Sequence, residues 1–143
     1  MSQRLNQVSA QLAGDLATTA DNLRRALLRV DIELTYDRAG VAALDDYLQR
    51  NAPHWSEDEV DQVALVAGCF LGECLIRTIP GARWGREGED GPYAVLLPGE
   101  IGAALPGNKV HKQASAGRGD SVLSFFDVMH AVVAAGGVEG LSA

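Results

Sequence analysis

One carboxylate stands inside the most apolar stretch of this sequence. Glu73 lies in VALVAGCFLGECLI, and Arg77 follows four residues on. A carboxyl desolvated there would have its pKa raised and would serve as a general acid or base. Helical spacing favours a different role. Glu59, Gln62, Val66, Cys69, Glu73 and Arg77 share the most polar stripe of the segment, and Glu before Arg at i,i+4 is the favourable order for an ion pair. The expected partner of Glu73 is therefore Arg77, or Arg83 or Lys109 from a following sheet, in a structural pair.

Other chemistry finds less support. His54, His111 and His130 stand at no metal-ligand spacing from each other or from Cys69 and Cys74, so no metal or other cofactor is expected. Ser115, Ser121 and Ser124 lack the G-x-S-x-G elbow of a nucleophile, and no catalytic set emerges. The glycine-rich stretch Gly81–Gly91 is neither a dinucleotide fingerprint nor a Walker loop, and its acids would repel phosphate. AGRGDS at Ala116–Ser121 opens a helix near Lys109, Lys112 and Arg118. An anion would suit that helix start, but Asp120 as its cap is the preferred reading.

Charge is distributed unevenly. The 143 residues carry a formal charge of −7. Residues 51–100 hold nine acids against three bases, which accounts for −6 of it. Glu57, Asp58 and Asp61 sit at a helix start, and Glu87, Glu89 and Asp90 sit at a hairpin tip. Together they form a candidate acidic face for a basic protein partner, although such runs are commonly solvated caps and loops. The acidity argues against a nucleic-acid partner, which would demand clustered Lys and Arg.

The elements that must position these groups follow from periodicity. Leu5, Val8, Leu12, Leu16, Ala20, Leu23, Leu27 and Val30 predict an amphipathic helix with a near-heptad seam, for packing or for dimerisation over Leu5–Val30. A second helix is expected from Asp37 to Arg50. Ser56 with Glu59 is a capping box, and it opens a helix that runs to about Thr78. Leu65, Gly68, Gly72 and Ile76 give that helix a second apolar side, so it is expected to be central and covered on two sides. Beyond Gly81, closely spaced Gly and Pro mark short strands at Ala82–Arg86, Tyr93–Leu97, Ile101–Leu105 and Lys109–Gln113. A last helix begins at Asp120 and ends at Gly136–Gly137. The fold class is α+β: N-terminal helices and a central buried helix packed on a small antiparallel β-meander, closed by a C-terminal helix. Residues 1–34 are assigned to the amphipathic helix and 35–143 to a single α+β domain.

With 47% hydrophobic and 22% charged residues the chain has the composition of a soluble globular domain. It has no secretory h-region and no apolar run of membrane-spanning length. Two cysteines five residues apart on one helix point away from each other, as expected of free thiols in a reducing cytoplasm.

Four segments in order, TYDRAGVAALDDYL, CFLGECLIRTIPGARW, PGNKVHK and GDSVLSFFDVM, resemble a family of uncharacterised bacterial α+β domains. The resemblance runs from about Thr35 to Val133 and rests on a Leu-Gly-Glu helix, a Gly-x-x-Trp strand entry and an Asn-Lys-Val turn. It implies a bacterial α+β fold in which Gly72, Glu73, Trp84, Asn108 and Lys109 belong to one constellation. The candidate binding or latch residues are accordingly Glu73, Arg77, Arg83, Trp84, Asn108 and Lys109. The leading expectation is a non-enzymatic cytoplasmic interaction domain, of the immunity or inhibitor kind by analogy. The alternatives are a small-molecule or enzyme cleft using Glu73, Arg77, Lys109 and His111, and a self-associating structural protein.

Overall fold

In the computed structural model, residues 5–116 and 121–137 are described. The chain runs β1 (Leu5–Gln7), α1 (Ala10–Leu28), α2 (Arg38–Asn51), α3 (Glu57–Thr78), β2 (Arg83–Glu87), β3 (Tyr93–Leu96), β4 (Ala103–Ala104), α4 (Pro106–Ala116) and α5 (Val122–Ala134). The class is α+β, and α3 is the centre on which the other layers pack.

The capping box of α3 is formed in full. The Glu59 amide donates to the Ser56 hydroxyl at 3.2 Å, and the Ser56 amide donates to the Glu59 carboxylate at 3.2 Å. Glu57, Asp58 and Glu59 occupy the first turn, where carboxylates complement the positive helix end. The helix then buries Val60, Ala64, Ala67, Phe70, Leu71, Cys74 and Leu75. Helices α1 and α4 lie against it, and α1 contributes Leu16, Ala20 and Leu27 to the same core. Helix α2, capped by Asp37, buries Val41, Leu44 and Leu48 and packs against α5. The sheet is antiparallel throughout, in the order β1-β2-β3-β4. Its central pair sets Trp84 opposite Val95, both buried. No helix among the described residues is long and apolar enough to cross a membrane.

The structure corrects several boundaries. The stretch expected to be helical from Leu5 begins as a strand. Leu5–Gln7 pairs with Gly85–Glu87, and Ser9 caps α1 through the Leu12 amide at 3.1 Å. Lys109–Gln113, expected to be a strand, lies inside α4. Pro106 at the first helical position has the right fixed φ and no amide to lose, so Pro-Gly opens a helix here rather than closing a turn. Val110 and Gln113 are its buried face. The strand expected over Ile101–Leu105 shrinks to Ala103–Ala104, because Gly99, Glu100 and Gly102 all take positive φ. The last helix is capped by Ser121, whose hydroxyl accepts from the Ser124 amide. Asp120 and the rest of the RGD segment lie outside the described residues. Leu65, expected to be covered, is 55% exposed.

Candidate functional site

Glu73 is buried and fully engaged. Its Oε1 accepts from the Arg77 guanidinium at 3.1 Å, and its Oε2 accepts from the Trp84 indole N–H at 2.9 Å. Helix spacing supplies Arg77. Strand β2 supplies Trp84, and Gly72 lets it approach: a Cβ at Gly72 would stand 2.1 Å from the indole ring. Arg77 also lies over the Tyr36 ring, 3.7 Å from its centre. Of the other candidates for this latch, Arg83 donates to the Gly81 carbonyl at 3.1 Å. Lys109 lies on α4, and Asn108 belongs to a neighbouring cleft. The ion pair read from the sequence is present with Arg77, and the indole is the partner that spacing alone did not supply.

That cleft, lined in part by Trp84, lies between α3, the β2–β3 hairpin and the start of α4, with a volume of about 270 Å³. Its floor is made by Ala64, Gly68 and Gly107. A Cβ at Gly68 would meet the Gly107 Cα at 2.6 Å, so the two backbones touch. Leu65, Trp84, Tyr93 and the rings of Pro92 and Pro106 form its walls. Asp61, Asn108 and His111 supply its polar groups. Asp61 belongs to the first acidic segment, with Glu57 and Asp58 exposed beside it on α3. The second segment, with Glu87, Glu89 and Asp90 exposed, runs directly into Gly91 and Pro92 of the hairpin wall. Of the residues proposed for a small-molecule cleft, His111 lines this space, whereas Glu73 and Arg77 are paired with each other.

Residues 2–117 match a family of unknown function (DUF6278). The chain belongs to that family. The family segment takes in β1 and α1, which the resemblance read from the sequence left out, and it stops before α5. It contains both the latch and the cleft. No curated protein and no solved structure matches the chain.

Inside the family segment, His111 stands between two groups. Its Nε2 is 3.0 Å from Asp61, and its Nδ1 is 3.4 Å from the Ser115 hydroxyl. The order is that of an acyl-transfer triad, but the setting is not. Asp61 and His111 are exposed, Ser115 lies near the C-terminal end of α4, where the helix dipole opposes an oxyanion, and Glu57 lies in the adjoining groove. Among the described residues no three His, Cys, Asp or Glu side chains gather closely enough to hold a metal ion. Both cysteines are free and buried. Burial pushes the Cys69 thiol up to about 11, with the Glu73 charge adding to it, and raises Cys74 as well.

A second buried carboxylate was missed. Asp45 of α2 accepts from Gln113 at 2.9 Å, from Gln49 at 2.8 Å, from the Leu123 amide at 3.0 Å and from the Ser121 hydroxyl. Gln113 in turn accepts from the Val122 amide at 2.7 Å. This knot ties α2, α4 and the start of α5. Its signal was in the sequence: Asp45 falls four residues after Val41 and three before Leu48, on the apolar face of α2.

Proposed function

We propose that this protein is a non-enzymatic binding domain that takes a basic protein partner on the face formed by the start of α3, the β2–β3 turn and the start of α4. The observation that carries this is an apolar cleft with one acidic segment contributing Asp61 to its rim and the other leading into its hairpin wall. Exposed apolar surface rimmed by charge is the usual form of a protein docking site. Two buried free thiols fit the reducing cytoplasm as its compartment. The exposure of Asp61 and His111, with Ser115 near the C-terminal end of α4, favours binding over catalysis.

The test is capture from the host lysate at low salt, run in parallel with a variant carrying Asp58→Asn, Asp61→Asn, Glu87→Gln, Glu89→Gln and Asp90→Asn. The expected result is a stoichiometric basic protein, released as salt rises and lost by the variant. Equal recovery by the variant, or recovery of the protein alone, overturns the proposal. The small-molecule alternative draws on the cleft volume, which is near the lower end for such sites. It predicts ligand binding that the hairpin substitutions leave unchanged.

A further inference from the structure

We infer that the cleft receives one apolar side chain, aromatic or leucine, from a partner segment that carries Lys or Arg on either side of it. This rests on the binding role proposed above and specifies what is bound.

The preference for an apolar group comes from how the two aromatic walls are held. The one polar atom of the Trp84 indole is bonded to Glu73, and the ring lies against Gly72. The Tyr93 ring is stacked under Arg86, 4.7 Å from the guanidinium, and Arg86 also donates to the Gly91 carbonyl at 2.8 Å. These contacts hold both rings in place, and the indole N–H is already engaged. The floor is fixed too, because Gly68 and Gly107 meet backbone to backbone. A rigid apolar cavity loses little entropy on binding and rewards an occupant that buries rings or branched carbons. Leu65, more than half exposed at the mouth, has no covering element among the described residues and would be covered by the incoming group.

The preference for flanking cations comes from the rim. Asp58, Asp61 and Leu65 follow one stripe of α3 into the cleft, and Glu87, Glu89 and Asp90 precede its hairpin wall. The nearby cations are largely committed: Arg86 to Gly91 and Tyr93, and Lys109 to an interaction of its own. Lys112 is exposed on α4 but does not line the cleft. Asp61 lines the cleft and Asp58 stands one turn before it on α3, while Glu87, Glu89 and Asp90 lie in the turn that leads to Pro92. The charge near the opening is therefore predominantly acidic, and a cationic flank is attracted where an anionic one is repelled.

The full-length Trp55→Phe variant leaves Trp84 as the only tryptophan, so its emission reports on the cleft wall. The probes are blocked peptides of sequence Gly-Lys-Phe-Lys-Gly, Gly-Lys-Ala-Lys-Gly and Gly-Glu-Phe-Glu-Gly, with N-acetylphenylalanine amide as the uncharged control. The expected result is a saturable change with Lys-Phe-Lys at millimolar concentrations. Removing the ring should weaken binding roughly tenfold or more, and reversing the flank should weaken it about two- to fivefold per charge, less at high salt. Leu65→Ser, at an exposed position, should weaken Lys-Phe-Lys while leaving the unfolding midpoint in place.

Equal binding of the Phe and Ala peptides would reduce the effect to surface charge and overturn the inference. Equal binding of the uncharged control would assign the cleft to small apolar molecules instead, and no saturable change with any probe would also overturn it. A salt-released partner captured in the lysate experiment alongside a negative peptide result would leave the binding role standing and remove only this ligand assignment.

Discussion

Glu73 shows how a buried carboxyl group is satisfied from two sides. Its two oxygens receive donors from opposite sides, the Arg77 guanidinium and the Trp84 indole. Glu73→Gln replaces one oxygen with an amide that must face one of those donors, so an N–H is left without an acceptor. Arg77 is partly exposed and would recover water, so most of the cost falls on the buried indole side. The expected loss is about 1–3 kcal/mol in denaturant unfolding, and an unchanged midpoint would remove the latch role. His130 offers a different test. The Thr78 hydroxyl spends its proton on the Cys74 carbonyl at 2.6 Å, so His130 Nε2 donates to it at 2.8 Å. Burial holds this imidazole below its ordinary pKa of 6.5, opposed by the Asp127 charge. The unfolded chain therefore binds the proton first as pH falls. Stability is complete above about 6.5 and declines below it towards the folded pKa. Arg38 beside Asp127 and the Thr35 and Gly40 donors to Asp37 hold those carboxyls below their ordinary range, so their losses come at lower pH. His130→Gln should flatten the unfolding midpoint between pH 7 and pH 5.5, measured by thermal melts; an unchanged slope would mean the ring is solvated. At this scale the Glu73–Arg77 pair was legible because both residues lie on one helix. The indole was not, because a contact between α3 and β2 has no spacing to read.

The attachment of α5 is an element-scale property and rests on Asp45. Its Oδ2 takes the Ser121 hydroxyl and the Leu123 amide, which satisfies a donor at the helix start. Its Oδ1 takes Gln113 and Gln49, and Arg38 pairs with Asp127 further along α5 at 2.9 Å. Asp45→Asn should cost about 1–3 kcal/mol and loosen α5 before the rest. Hydrogen exchange should then speed up over 122–134 while the Phe70–Leu75 amides of α3 keep their protection. Equal acceleration in both would show that α5 is not a separable layer. The helices with strong caps and periodic faces, α2 and α3, were readable nearly to the residue. Helix α4 was misread because its few apolar residues make no period and Pro106–Gly107 has the composition of a turn. Strand β1 was hidden for a related reason. Leu-Asn-Gln has no alternation, and only β2 makes it a strand.

For the whole molecule, the decisive question is what the first thirty residues are for. Their heptad-like seam suits either a partner copy or this chain, and the sequence weighs the two equally. In the fold Leu16, Ala20 and Leu27 are buried in the core beside Phe70, Leu71 and Leu75 of α3, while Leu28 and Val30 face solvent. Strand β1 closes one edge of the sheet, and the Val8 amide extends that pairing to the Trp84 carbonyl at 3.2 Å. The same Trp84 then anchors in Glu73 and walls the cleft, so the N-terminal segment supports the site through two contacts in series. Removing residues 1–30 would strip the α1 face of α3 and expose the edge of β2. Burying two leucines alone contributes roughly 3–6 kcal/mol, a large part of the 5–15 kcal/mol that domains of this size possess. The truncated chain is therefore expected to lose its cooperative unfolding transition and to scatter light as an aggregate. A folded, monodisperse monomer from the truncation, against a dimeric full-length chain, would instead show that α1 packs between copies and that the core closes without it.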